Sequence, residues 1–487
     1  ETRSTWNYVL TPTDPSRAAN YDETQSQAYG ITSYRTAPDG TQQAVAWKVV
    51  GYDANGDGTF SMAEKPAWLT SLSKTEGDGG TAADQGTATL TKDVTDLLAK
   101  RNKELKEATA LGSSSAPYDL STRGGSVNRS TANAYVISAP GHYRIPLVYG
   151  NAIKNGSNNP SSYQTSNTGT YILSNFQDHA GHAIDNPWIE KTNGGANASV
   201  DGAEVVWADA ADLVHFSSTP ISHDASGNAF LDFEVKQSDI QSGNAVVAVK
   251  KGGTIVWSWH LWFAPKDALD KISVTNHQGK VYNFTKETLG WKPTQWSGST
   301  YDKPRTIKVK VEQTVANSGT KQETVINITQ NPGSVKKGAT TLYQFGRKDA
   351  FPGVDASELA ANSHFTQNAG DHMSIMNGIQ HPDNFYTWGS SWSSTPPTGY
   401  SYYNLWSADN TTTGYNDNSV VKTVYDPCPV GFKMPAPNAF TGFTTTGQTS
   451  LTQSQLNVDG TDNWQTFQNN FGHNFWTSSS KTATINF

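Results

Sequence analysis

The sequence predicts a mainly β protein, with tandem antiparallel β-sandwich domains of an immunoglobulin-like kind and a loop-rich C-terminal domain. Three observations carry that expectation. Short runs rich in β-branched and aromatic residues recur between Gly, Asn and Ser turn signals from about residue 130 to 333. Residues 305–330 alternate polar and apolar side chains on two arms about Asn317-Ser318-Gly319, as a hairpin does. Aromatic residues make up 11% of the chain, including 15 Trp and 20 Tyr. That supply of core-forming rings excludes a disordered chain despite a mean hydropathy of -0.58. A length of 487 residues exceeds what one hydrophobic core serves, so several domains are expected.

Charge and cysteine content remove several function classes. The formal net charge is -7 and no Lys/Arg run is present, which argues against nucleic acid as a partner. The single cysteine, Cys428, excludes an internal disulfide and a cysteine zinc cage. Placed between Pro427 and Pro429 with no activating neighbour, it reads as a small buried hydrophobe. No apolar window approaches 18 residues, so no membrane-spanning helix is expected. A start at Glu1 suggests a processed form, and the strand-like ending at 483–487 suggests an incomplete final domain.

Taken in order, residues 1–43 are polar, turn-rich and without a clear period, an arm or the remnant of a preceding domain. Residues 44–128 form a β-module in which 44–52 and 87–91 read as strands. Within it, 93–108 predicts a helix, with Val94, Leu97, Leu98 and Leu105 on one face and Lys/Glu pairs on the rest. The region 129–333 carries strands near 143–149, 203–207, 230–235, 245–249, 254–263, 305–311 and 324–329. Asn331-Pro332-Gly333-Ser334 reads as a linker, and 338–487 as a loop-rich domain that needs its aromatics for a core.

Four constellations are candidates for chemistry. The run Asp53, Asn55, Asp57, Gly58, Ser61, Glu64 matches positions 1, 3, 5, 6, 9 and 12 of a twelve-residue calcium loop, with Thr59 at the backbone-ligand position. Alternate oxygens there would converge on a hard cation and Glu64 would close the shell. A preceding strand and Pro66 make this a structural calcium clip rather than a helix-flanked sensor, and an ion-free Asx-rich turn is the alternative. Asp178, His179, His182 and Asp185 supply zinc-type ligands, but Gly181 and Pro187 oppose the helix that would align the histidines, so a polar loop is favoured. Trp257, Trp259 and Leu261 share one strand face, with Ser258, His260 and Trp262 on the other; sandwich packing is favoured over stacking on sugars. Trp388, Trp392, Tyr400, Tyr402, Tyr403 and Trp406 sit among Gly, Ser and Pro, the mixture of rigid rings and adaptable neighbours that binding surfaces use. They are the expected ligand site, the alternative being core. No GxSxG, HExxH, Walker A or GxGxxG pattern occurs in a suitable context, and no carboxylate pair stands out by spacing, so a non-enzymatic chain needing no cofactor is expected.

Three stretches resemble Bacteroidales surface proteins. Trp47-Lys48-Val49, Pro66-Ala67-Trp68-Leu69 and the later Gly86-Thr87-Ala88-Thr89 are similar to a BACON-type module. NAYVISAPGHYRIPLVYGNAIKNG (133–156) and NAVVAVKKGGTIVWSWHLWF (244–263) resemble the central part of the fimbrillin family. LYQFGRKDAFPG (342–353) and YDPCPVGFKMPAPNAFTGF (425–443) resemble a C-type-lectin-like domain related to the Fibrobacter paralogous domain. The resemblance implies a BACON-like module over 44–128, a fimbrillin-like sandwich over 129–333 and a lectin-like domain over 338–487. It further implies export to the cell surface, by lipoprotein or pilus anchoring at the outer membrane, and partners among other pilus subunits and host or microbial glycans or proteins. A pilus-tip-like adhesin is the expected function. The alternatives are a shaft subunit polymerising by strand exchange and a polysaccharide-processing protein with accessory modules.

Overall fold

The computed structural model describes residues 5–370, 373–386, 402–443, 447, 450–451, 472–478 and 482–486. The chain is mainly β, and most of its strand pairs are antiparallel. It divides into two compact units, each drawn from separated stretches: Glu1–Ala99 with Thr294–Lys337, and Lys100–Pro293 with Gly338–Phe487. No described helix is long and apolar enough to cross a membrane.

In the first unit one sheet runs in the order Asn7–Thr13, Gln27–Thr36, Gly80–Leu90, Leu69–Leu72. The other is centred on Thr320–Asn331, Arg305–Asn317 and Trp47–Asp53. Alternation decides what lies between them. Ile307 and Val309 pair in register with Ile328 and Ile326, and with Val311 they meet Tyr29, Ile31, Trp47, Leu69, Ala88 and Leu90 in one core. Two expectations change here. Residues 1–43 are no loose arm, since Asn7–Thr13 and Gln27–Thr36 are paired strands of the first sheet. The 305–331 hairpin belongs with the Trp47–Asp53 strand, to which it pairs from Lys308↔Asp53 to Gln313↔Trp47. Strand pairing across some 250 residues of sequence therefore joins the spans 44–128 and 129–333.

The second unit is also a sandwich. One sheet runs Tyr118–Asp119, Gly141–Pro146, Ala229–Val235, Ile221–His223, and the other Ala134–Ile137, Thr254–Phe263, Gly243–Lys251, Gly202–Ala208. The edge strands Tyr118–Asp119 and Ala134–Ile137 join in parallel, an exception to the antiparallel expectation. Tyr143, Ile145, Leu231 and Phe233 from one sheet face Val247, Val249, Trp257 and Trp259 from the other. Described residues after 338 pack onto this same unit. Trp207 Nε1 donates to the Ala350 carbonyl at 3.1 Å, and the Ala360 and His364 amides bond the carbonyls of Ala208 and Val206 along the Gly202–Ala208 edge.

The helix is Leu97–Glu107, shorter than 93–108. Its buried residues are Arg101 and Leu105, whereas Val94 is exposed. Arg101 grips Glu287 with two bonds, 2.7 and 3.0 Å long, and lies 5.3 Å from the Trp291 ring. The periodicity therefore missed the residue that anchors the helix, because an apolar pattern does not count a cation that only its distant carboxylate partner allows to be buried.

Candidate functional site

Among the described residues the expected ligand set divides sharply. Trp388, Trp392 and Tyr400 lie outside the described residues. Trp406 is fully buried; its indole donates to the carbonyls of Tyr425 at 2.9 Å and Arg347 at 3.3 Å, and Phe345 meets it edge-on. It is a core residue and not a contact for ligand, because its one polar atom is held by the backbone. Tyr402 is half-buried against the same core.

Tyr403 is different. Its ring stacks on Tyr171, centroids 5.0 Å apart and planes 24° from parallel, and Tyr171 is 45% exposed. The cause is local. The Tyr403 amide donates to the Tyr171 carbonyl at 2.8 Å. The buried Asn404 side chain then accepts from the Leu173 amide and donates to the Leu173 and Ala408 carbonyls, at 2.9, 2.9 and 3.0 Å. One asparagine thus clamps two extended segments side by side and turns both tyrosines the same way. Asn410 bonds the Tyr403 carbonyl at 2.8 Å, and the exposed Asp409 carboxylate accepts from Thr165 Oγ1 at 2.7 Å. Tyr171 was not singled out in the sequence, although its setting in Asn167-Thr168-Gly169-Thr170 has the same small-residue texture as the 400–406 run.

The Asp53–Glu64 loop is wound on its own side chains. Asp53, 1% exposed, accepts from the Gly56 amide at 2.6 Å and the Gly58 amide at 3.0 Å. Asn55 accepts from the Asp57 amide, Asp57 from the Thr59 amide and Glu64 from the Ala54 amide. The Ser61 hydroxyl caps the Ala63 amide. Gly56 and Gly58 both take φ near +80°, which admits the tight return. The all-oxygen donor set suits a hard cation. Among the described residues, however, no three His, Cys, Asp or Glu side chains converge as metal ligands, those of this loop and of the 178–185 segment included.

In that segment, Asp178 is fully buried and closes a turn. It accepts from the amides of Ala180 and His182 and from Asn197 Nδ2. Burial lowers the His179 pKa. Asp185 accepts from Thr192 Oγ1 and the Asn193 amide. The polar-loop expectation describes it.

The tryptophan row is interior on both strand faces, since every residue from Ile255 to Phe263 is buried. Trp257 Nε1 donates to Asn133, and Trp262 Nε1 to the Trp291 carbonyl. Ser258 meets Lys348 Nζ at 2.5 Å and Asp349 at 2.6 Å. His260 Nε2 lies 2.8 Å from Asn244 Oδ1. No ring of that row is available to a sugar.

No family model matches the chain, and no curated protein matches it.

Cys428 is half-buried beside Met434 Sδ at 3.7 Å, and burial, reinforced by Asp426, raises its thiol pKa well above the ordinary range, which suits a structural role. An open groove of about 280 Å³ lies between Glu204, Lys250, Thr254, His364, His381 and Asp383, where Glu204 is already paired with Lys250 at 2.5 Å.

Proposed function

We propose that this chain is an extracellular, non-enzymatic adhesin or pilus-tip-like subunit of the fimbrillin kind, held at the cell surface and binding glycan or protein ligands. The observation that supports this reading is the Tyr171–Tyr403 stack. The Asn404 clamp holds these two rings together, Tyr171 45% exposed, with hydrogen-bonding side chains from 165–167 and 409–410 nearby. Rigid rings flanked by small polar groups bind with little loss of side-chain entropy, and their faces suit pyranose rings and peptide edges alike. The resemblance of 342–353 and 425–443 to a lectin-like domain agrees with it, as does the resemblance of 133–156 and 244–263 to fimbrillins. Neighbouring pilus or surface subunits would be its structural partners.

The direct test is binding of the full chain to a glycan array and to host or bacterial cells. The double variant Tyr171→Ala/Tyr403→Ala should weaken any ligand found by about tenfold or more with melting unchanged. A fully folded chain that binds nothing, or a double variant that binds as well as the parent, would overturn the proposal.

As part of the same reading, the Asp53–Glu64 loop holds calcium through Asp53, Asn55, Asp57, Ser61 and Glu64 with the Thr59 carbonyl. The ion would brace the loop at the end of the Trp47–Asp53 strand and take no part in chemistry. Calcium should raise the melting temperature relative to a chelator, and Asp57→Ala should abolish the difference. Equal melting with and without calcium rules the clip out.

A further inference from the structure

We propose that the second unit carries an internal site for one small monovalent anion, chloride in ordinary media, in the cavity beside Arg347. The cavity is bounded by Arg347, Lys348, Asp349, Gly378, Ile379 and Tyr425, and encloses about 10 Å³, room for a single atom-sized guest.

Arg347 is 2% exposed. Its terminal nitrogens are spent on neutral acceptors: Nη1 on Gln344 Oε1 at 2.9 Å and the Asn384 carbonyl, Nη2 on the carbonyls of Gly378 and His381 at 3.1 and 3.0 Å. Nε has no partner. A buried donor left unmade costs more than an ordinary hydrogen bond gains, so an unoccupied Nε is an expensive feature to keep.

Charge points the same way. Lys348 and Asp349 form a buried pair at 2.7 Å, with Ser258 completing the ammonium's contacts. Two cations and one carboxylate therefore line the cavity, an excess of one positive charge in a desolvated place. The rings of Phe351 and Tyr386, 4.8 and 5.5 Å from the guanidinium carbon, offset part of that excess. A buried water needs two to four polar partners. Here the Lys348 donors are taken, the Tyr425 hydroxyl is bound to Gln177, and Ile375 and Ile379 present hydrocarbon. One free N–H, apolar walls and surplus positive charge suit a halide better than a water.

Gly378 supplies the space. It sits inside the helix Ile375–Gln380, where glycine is less favourable than alanine. A Cβ built on it would lie 3.2 Å from Arg347 Nε, in front of the unpartnered donor.

The test uses the full chain. Crystals grown in bromide should give an anomalous peak at the bromine edge beside Arg347 Nε, and Gly378→Ala should lose it. In solution, raising chloride from about 1 to about 300 mM should raise the melting temperature by roughly 2–4 °C more than sulfate of equal ionic strength, and Gly378→Ala should abolish that excess. A parent map with only a water or an empty cavity at Nε overturns the site, whether or not Gly378→Ala folds. So does a chloride-specific shift that survives Gly378→Ala.

Discussion

Two long strands of this protein, Arg305–Asn317 and Thr254–Phe263, alternate in the same way and end in opposite surroundings. In the first, Ile307, Val309 and Val311 are buried while Lys308 stays exposed and Lys310 reaches a surface pair with Glu323. In the second, the polar set is as buried as the apolar set. Period-two patterning states which side chains share a face, but not whether a second layer covers that face. In the second unit the layer comes from residues after 338 over Ser258 and from 264–291 over Trp262, and the polar side chains under it are tolerable because Ser258 meets Lys348 and Asp349 and His260 meets Asn244.

The comparison is most easily broken at Trp257. Its ring meets Tyr149 edge-on at 4.9 Å and its indole bonds Asn133, so Trp257→Ala should cost about 3–5 kcal/mol in urea unfolding. A loss below about 1 kcal/mol would mean that this face is not close-packed.

On the opposite face, Lys348→Met strands the Asp349 carboxylate in the interior and should cost about 3 kcal/mol. Adding Asp349→Leu should recover most of it, since paired loss of buried charges is often neutral. If the double variant is no better than the single, the pair is not what carries Lys348.

His260 sharpens the comparison through pH. Asn244 Nδ2 is committed to Asp209 and the Gly290 carbonyl, so Asn244 Oδ1 accepts from His260 Nε2–H and leaves Nδ1 bare and buried. Burial lowers the pKa from 6.5 to about 3. The unfolded chain then binds the proton first: this contribution is full above pH 6.5 and is lost as pH falls toward 3. Between pH 7 and 5 the loss should approach about 2 kcal/mol. His260→Gln should flatten that interval in urea titrations, and an unchanged slope would exclude the histidine as its source. The smallest effect belongs to the solvated face of the other strand, where Lys308→Thr should stay within about 0.5 kcal/mol.

Much of the fold was legible. The strands around 203–207, 230–235, 245–249 and 254–263 and the hairpin turning at Ser318-Gly319 occur where β-branched runs and turn residues placed them. The 1–43 segment was not, because Asn7–Thr13 and Gln27–Thr36 are rich in Thr, Ser and Tyr and owe their order to pairing with each other and with Gly80–Leu90. At the candidate site the sequence offers one texture for Tyr402, Tyr403 and Trp406 alike. It could not separate Trp406, which turns inward, from Tyr403, which turns outward, since that choice rests on the distant partner Tyr171.

By itself the sequence determined the class: alternation, turn chemistry and ring content commit these residues to β-sheets packed face to face, because those are local properties of the chain. Tertiary structure decided the rest. Which strands share a sheet, which faces are covered and which rings reach solvent all depend on contacts between residues tens to hundreds of positions apart. Burial free energy belongs to those meetings and not to any one segment, and so Trp406 and Tyr403, three residues apart, have different surroundings.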